Sequence, residues 1–174
     1  MGEKHSDTLA AMHNLAASYQ SIGRVEEALE IGEKVMATMQ GILGGQHPDT
    51  LSTMHNLASL YWSTDRVTEA TELEERTLES RRVMLGHKHL DTLRTMHNLA
   101  LSYKSLGRLQ EAAEMEERTL ETRREILGDK HPDTLSTMHN LASSYMSMGR
   151  VEEAADMEER NTGGGMGNTR GQTF

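Results

Sequence analysis

Apolar and polar residues alternate along this chain with the period of an α-helix. On a helical wheel, one side of the segment after His47 is apolar and consists of Leu51, Met54, Leu57, Ala58 and Tyr61. The opposite side is polar and consists of Ser52, Asn56, Ser59 and Ser63. Proline is tolerated in the first turn of a helix, and aspartate can cap that turn or oppose its dipole. We therefore predict a helix from Pro48, with Asp49 at its start, to about Thr64.

A second amphipathic helix is predicted from about Val67 to Leu85. Its apolar stripe consists of Val67, Ala70, Leu73, Leu78, Met84 and Leu85. The remaining positions carry alternating charges, namely Glu69, Glu72, Glu74, Glu75, Glu79, Arg76, Arg81 and Arg82. Such alternation usually covers a solvated helix face, so we expect these charged side chains in water. Between the two helices, a left-handed residue is expected at Asp65, where other parts of the chain have Gly23, Gly107 and Gly149.

The pair of helices belongs to a longer repeat. The twelve residues His-Pro-Asp-Thr-Leu-Ser-Thr-Met-His-Asn-Leu-Ala occupy 47–58 and return unchanged at 131–142, with looser copies from His5 and His89. The starts are 42 residues apart, which is typical of a stacked repeat array. We place the array at residues 1–160, with repeats at about 5–46, 47–88, 89–130 and a shortened copy at 131–160. Glycine-rich residues 161–174 are predicted to form a flexible tail.

Several short motifs carry a resemblance to a known family. Met54, Leu57, Ala58, Tyr61 and Ala70 have a spacing similar to that of the tetratricopeptide repeat, with Met in place of the signature Trp. The motifs His-Pro-Asp-Thr-Leu, Asn-Leu-Ala-x-x-Tyr, Gly-Arg-x-x-Glu-Ala and Leu-Gly resemble the kinesin light chain type of this repeat. Repeats of this type also occur in long arrays of fungal and bacterial sensor proteins.

The resemblance implies an all-α fold, a right-handed α-solenoid of antiparallel helix pairs. It also implies that the first helix of each repeat lines a concave groove for an extended peptide. Asparagines in that groove would contact the peptide backbone, and by motif these are Asn14, Asn56, Asn98 and Asn140. Where the family usually has an aromatic residue four positions after the alanine of the second helix, this chain has Gly32, Glu74, Glu116 and Glu158.

Other polar residues on the same predicted face extend the candidate peptide-binding set, namely Ser52, Ser59, Trp62, Arg94 and Lys104. The two cations would favour an acidic ligand. An asparagine at a fixed phase can equally make a structural bond to a neighbouring helix, because its amide both donates and accepts. Trp62 can serve as a contact residue or pack against the flank of its own array.

Charge and composition exclude several functional classes. Lys and Arg total 18 against 27 acids, and a net charge of -9 disfavours nucleic acid and anionic membrane surfaces. Cysteine is absent, and no signal-peptide pattern or long apolar run is present, so we expect a cytoplasmic protein without disulfides. A column of histidines recurs at His13, His55, His97 and His139. Neighbouring members would lie about a helix spacing apart, too far to share a metal, so we expect no metal, no cofactor and no catalytic centre.

The sequence therefore predicts a non-catalytic protein-protein interaction module, a scaffold or adaptor that binds a peptide or partner segment in the groove. The alternative is a structural or oligomerisation fragment of a longer sensor or scaffold array that stacks end to end. The last repeat lacks counterparts of Leu120, Ile126 and Leu127. Because a terminal repeat without a polar cap leaves apolar surface uncovered, we expect residues from about 143 onward to be the least stable, or to pair with a second copy.

Overall fold

The computed structural model describes residues 2–161, apart from the side chains of residues 2–8, 10, 13 and 17. The described residues form eight α-helices in two compact units that divide between Arg108 and Leu109. The first unit contains α1 (Gly2–Ser21), α2 (Val25–Leu43), α3 (Pro48–Ser63), α4 (Val67–Leu85) and α5 (Leu90–Ser105). The second contains α6 (Leu109–Leu127), α7 (Pro132–Ser147) and α8 (Val151–Asn161). The predicted tail lies outside the described residues, except Asn161, which is the last residue of α8.

Short connections make each helix pack on the next one along the chain within its unit. The predicted helix boundaries in the second repeat are confirmed, since α3 begins at Pro48 and α4 runs from Val67 to Leu85. Asp65 adopts the predicted left-handed conformation at φ 61°, and Gly107 and Gly149 do the same at 73° and 76°. An aspartate is strained there and glycine is not, because only a side chain with a Cβ meets the following carbonyl.

The caps of α3, α5 and α7 are histidines. The Nδ1 atoms of His47, His89 and His131 each accept a hydrogen bond, 3.2 Å long, from the backbone N–H two residues later. Asp49 lies inside the first turn of α3, where its charge opposes the helix dipole. Of the two roles predicted for Asp49, opposition to the dipole is confirmed, and the cap is His47 instead, because its imidazole accepts from the Asp49 N–H.

The apolar stripe of α3 is buried as predicted, except that Tyr61 is half-buried. In the first unit its residues join a core cluster of Ala28, Leu29, Leu51, Met54, Leu57, Ala58, Leu60 and Leu73. In the second unit the equivalent cluster contains Ala113, Leu120, Met138, Leu141, Tyr145 and Ala154. Met84 and Leu85 depart from the prediction, with 43% and 39% of their surface exposed. The reason is length: α4 has 19 residues and its neighbours α3 and α5 have 16, so the last turn of α4 extends past them.

Two of the charged side chains predicted to be solvated are buried instead. Glu74 and Arg81 lie four and eleven residues after buried Ala70, which places them on the same face of α4. The Ser102 hydroxyl donates to Glu74 Oε2 at 2.8 Å. The Arg81 guanidinium donates to the Asp91 carbonyl at 3.1 Å and to Thr95 Oγ1 at 2.6 Å. These partners on α5 offset the cost of burying polar groups, which the charge pattern alone does not reveal.

A second polar contact links consecutive repeats at the tyrosines of α3, α5 and α7. The Tyr61 hydroxyl donates to Glu33 Oε1 at 2.8 Å, and the Arg66 guanidinium lies over its ring at 4.4 Å. Partial burial and the Glu33 carboxylate raise the pKa of Tyr61 to about 12, so the hydroxyl stays a donor. The same contact recurs between Tyr145 and Glu117 at 2.7 Å. It holds the face of each first helix in a fixed orientation.

Candidate peptide-binding surface

The exposed face of α3 carries the polar residues that the helical wheel predicts. Ser52, Asn56, Ser59 and Ser63 are all exposed. Each follows the previous one by three or four residues, so they share one side of the helix. At the same phase, Asn14 on α1 is exposed, whereas Asn98 and Asn140 are half-buried. The asparagines are therefore available to a ligand to different degrees, and their role in binding stays a prediction.

One pocket in the first unit brings three of the predicted site residues together. Its lining consists of Ser59, Trp62, Glu74, Asn98 and Leu101, around about 430 Å³ of empty space that includes the open side. We call it the Trp62 pocket. Trp62 is 48% exposed and forms its rim, while Glu74 is 3% exposed. The pocket therefore combines an aromatic edge with a buried carboxyl group.

A second pocket lies at the equivalent place one repeat earlier. Asn56 and Ser59 line it, together with Ala16, Gln20, Gly32, Val35, Thr53, Leu57 and Leu60. Its empty space is about 700 Å³, again including the open side. We call it the Gly32 pocket. Gly32 and Leu60 occupy the places that Glu74 and Ser102 have in the next repeat, so this pocket has no acidic side chain.

The remaining predicted site residues line neither pocket. Ser52 and Asn14 are exposed elsewhere on their helices, and Asn140 belongs to the second unit. Arg94 forms an ion pair with Asp91 at 2.9 Å, so its charge is partly neutralised within the first turn of α5. Lys104 is half-buried. The cations thus do not converge on the two pockets.

Glu74, Leu101 and Gly32 are pocket residues that reasoning from the sequence did not select. The run of charges around Glu74 predicts a solvated face. A comparison between repeats contains the missing signal: Gly32 pairs with Leu60, whereas Glu74 and Glu116, two of the three glutamates at this phase, pair with serines. A carboxyl group that appears together with a hydroxyl on the next helix indicates a buried contact.

Burial dominates the electrostatics of the pocket. Removal from water raises the pKa of Glu74 from 4.5 to about 7, and the hydrogen bond from Ser102 opposes this only in part. No neighbouring arginine or lysine contributes to the shift. On the core side of α3, burial together with the nearby Arg81 and Arg94 charges lowers the pKa of His55 to about 4. His55 is therefore neutral at physiological pH.

The histidine column does not come together as a ligand set. His55 is buried, His97 half-buried, and His139 exposed with its Nδ1 3.2 Å from Glu158. The side chain of His13 is outside the described part. Among the described side chains, no three of His, Cys, Asp or Glu converge in a way that could hold a metal ion. Within residues 2–161, none of the helices combines the length and apolarity needed to span a bilayer.

Comparison with known proteins places this arrangement in a family. A tetratricopeptide repeat model matches residues 7–82 and 117–160, and a second model of the same description matches residues 92–133. A Podosopora anserina protein described as a putative kinesin light chain with nearly identical TPR-like repeats has 35% sequence identity and a TM-score of 0.83. The alignment covers 90% of this chain and 74% of that one. This chain is a tetratricopeptide repeat protein of the kinesin light chain type.

More distant structures support the fold of this tetratricopeptide repeat protein. BtubC (BKLC) from P. vanneervenii has 21% identity and a TM-score of 0.82, with 95% of this chain and 68% of that one covered. A MamA structure has 17% identity and a TM-score of 0.66, with coverage of 89% and 77%. Among curated proteins, none matches. The fold class is thus the all-α solenoid of antiparallel helix pairs, which in this family is generally an interaction module and non-catalytic.

Proposed function

We propose that this tetratricopeptide repeat protein binds a peptide or partner segment along the exposed faces of its first helices, without catalysis. The observation that carries the proposal is the presence of two adjacent pockets in the first unit, which share Ser59 and each contain one of the predicted asparagines. Asn56 lines one pocket and Asn98 the other. An amide at each pocket supplies both a donor and an acceptor to an extended peptide backbone.

The decisive experiment replaces Asn56 and Asn98 by alanine together. Peptides selected from a random display library on the native chain serve as probes. We expect binding to be lost in this variant while its unfolding midpoint changes little. Asn140→Ala is the matched comparison: it removes the same repeat residue outside the two pockets and should weaken binding less than the double change. If the double variant unfolds much earlier and still binds the selected peptides, the asparagines are structural and the proposal fails.

The absence of catalysis belongs to the same proposal. The recurring Ser, His and Asp residues make helix caps, ion pairs and hydrogen bonds between neighbouring helices. Repeated residues of this kind are spread along an array and do not converge on one reacting atom. Screening with hydrolase substrates should give no turnover. A signal that disappears when one repeat histidine such as His97 is changed would contradict this.

An acidic ligand and a cytoplasmic location stay predictions. The ion pair between Arg94 and Asp91 partly neutralises one of the two cations on which the prediction of an acidic ligand depends. If charge attraction of this kind contributes, binding of the selected peptides should weaken as salt is added. Peptides whose affinity is independent of ionic strength would remove this part of the proposal.

End-to-end self-association is the second candidate, and an observation in the second unit favours it. Leu120, Leu141, Tyr145 and Met157 line a hollow with about 550 Å³ of empty space, together with Glu117, Glu121 and Arg124. A repeat that leaves such apolar surface open is a candidate for contact with a further repeat. Sedimentation across a concentration series should then show dimers that Met157→Asp abolishes. A monomer at all concentrations would exclude this role.

A further inference from the structure

The Trp62 pocket differs in chemistry from its neighbour although both have the same position in their repeats. The Gly32 pocket has Gly32, Val35, Leu57 and Leu60 in its lining and no charged residue. In the Trp62 pocket the glycine is replaced by Glu74, and none of the described lining residues is a cation. The two pockets thus select different side chains.

We propose that the Trp62 pocket binds the side chain of a lysine or arginine from the bound peptide. This inference rests on the proposed function, since it names the chemistry of one position in the ligand. The cationic head would pair with the Glu74 carboxylate, and the aliphatic stem would lie between Leu101 and the Trp62 indole.

Each lining residue fits such an occupant. Glu74, the Asn98 amide oxygen and the Ser59 hydroxyl are acceptors, which is what a group with only donors requires. The face of an indole attracts a cation, and the leucine offers apolar surface to methylene groups. An acidic side chain would instead place a second negative charge beside a buried carboxyl group. The net charge of -9 adds long-range attraction for a basic segment, which opposes the acidic ligand that Arg94 and Lys104 suggest.

The surroundings of the Glu74 carboxyl group also favour a cationic occupant. Among the described residues its hydrogen-bond donor is Ser102, and burial, not a neighbouring charge, governs its pKa. Arg81, which lies on the same helix face and could have served as a counter-ion, is bonded to the Asp91 carbonyl and Thr95. The fold therefore buries a carboxyl group at a ligand-accessible pocket without providing the cation that would stabilise its charged form.

The chain provides its own reporter for the test, because Trp62 is its only tryptophan. The probes are capped peptides of one host sequence whose central residue is arginine, lysine, citrulline, norleucine or glutamate. Citrulline and norleucine keep the approximate shape of arginine and lysine without their charge. We expect the arginine and lysine peptides to change Trp62 fluorescence with affinities about tenfold or more above those of the neutral peptides, since a charge-assisted hydrogen bond is lost in the latter.

Glu74→Gln should reduce that preference to near unity while it keeps an acceptor for Ser102. The matched control is Glu116→Gln, because Glu116 is equally buried and accepts from Ser144 at 2.7 Å but lines no part of this pocket. The control should keep the native preference. If the Glu74 variant does not fold, the comparison of arginine with citrulline on the native chain still decides.

Two outcomes would overturn the inference. One is equal affinity for the charged and neutral peptides on the native chain, or no fluorescence response to any of them. The other is a preference for basic peptides that survives Glu74→Gln. Neither outcome touches the proposed function, which depends on the loss of library-selected peptides in the Asn56 and Asn98 variant. A basic preference without that loss would leave the pocket assigned and refute the asparagine-based mode of binding.

Discussion

At the scale of single residues, this chain buries ionisable groups whose charges the fold only partly compensates. Glu74 holds its proton more tightly in the folded state, since burial raises its pKa from 4.5 to about 7. Stability from this group is fully present below 4.5 and is lost as the pH rises through about 7. Function and stability therefore oppose each other at this residue, because the ionised form that would bind a cation is the form that weakens the fold.

Glu74→Gln should accordingly flatten the dependence of stability on pH. Above pH 7 we expect the free energy of unfolding of the variant to exceed that of the native chain by about 3 kcal/mol, because a pKa change of one pH unit corresponds to about 1.36 kcal/mol. Below 4.5 the two proteins should be nearly equal. Urea unfolding across this range measures the difference. A gap that does not grow with pH would show that the carboxyl group is solvated after all.

The contribution of His55 to stability should change with pH in the opposite direction, over an overlapping pH range. Burial, Arg81 and Arg94 lower its pKa from 6.5 to about 4, so the folded state binds the proton less tightly than the unfolded chain. Stability from this group is present above 6.5 and is lost as the pH falls toward 4. We expect His55→Gln to remove that acid-side loss, measured by urea unfolding at several pH values. An unchanged acid limb in the variant would contradict the assignment.

The histidine caps provide a test of local helix stability. His89 Nδ1 accepts from the Asp91 backbone at 3.2 Å at the start of α5. Since loss of a cap costs roughly 1 kcal/mol, His89→Ala should lower the free energy of unfolding by about that amount at neutral pH. His89→Asn supplies a different acceptor and should restore most of it. Thermal unfolding of the three proteins would show this order, and equal stability of the alanine and native chains would disprove a capping role.

At the scale of helices, the contact between a second helix and the next first helix exists in two versions. In one version Gly32 on α2 faces Leu60 on α3. A Cβ atom added at Gly32 would lie 3.1 Å from Leu57 Cδ1 and 3.5 Å from Leu60 Cδ1. In the other version Glu74 on α4 pairs with Ser102 on α5. In each version the two residues match each other in size and polarity. Exchanging one partner alone should therefore lower the free energy of unfolding.

We expect Gly32→Glu to lower the free energy of unfolding by about 2–4 kcal/mol, because a carboxyl group would be buried against Leu60 without a donor. Adding Leu60→Ser rebuilds the second version and should recover more than about 1 kcal/mol, a coupling typical of residues in contact. A double-mutant cycle with chemical denaturation measures this term. If the two changes are simply additive, the coupling free energy between positions 32 and 60 is zero and the pairing does not contribute to stability.

At the scale of the whole molecule, the described helices differ in how many of their residues are buried. Seven residues of α4 are buried, whereas Ala154 is the single buried residue of α8 within Val151–Asn161. A helix of 11 residues with so little burial depends on few tertiary contacts, and isolated helices of this length are marginal in water. Local stability should therefore fall towards the end of the second unit.

Hydrogen exchange on a dilute, verified monomer tests this expectation. Amides of α8 and of the end of α7, from about residue 143, should exchange well before those of α3 and α4. The opening free energy of α8 should lie far below that of global unfolding. Uniform protection across all described helices of a monomer would refute the expectation. Protection of α8 that appears only at high concentration would instead support contact with a second copy.

The sequence by itself determined the local features of this protein. The apolar period places the α3 stripe in the core, and the period of 42 residues defines the repeats. Asp65 and its glycine counterparts mark the turns. These features follow from the sequence because helix formation, helix ends and left-handed turns depend on residues within one or two turns of each other.

Only the tertiary structure decided what happens to the polar residues. Glu74 and Arg81 look like members of a solvated charge pattern, yet they are buried because Ser102 and Thr95, 28 and 14 residues further along, supply their partners. Met84 and Leu85 look like core residues, yet they are exposed because the last turn of α4 extends past α3 and α5. The Trp62 pocket likewise draws on three helices. A polar group can be buried when a residue far along the chain supplies its hydrogen-bond partner, and no local sequence pattern contains that information.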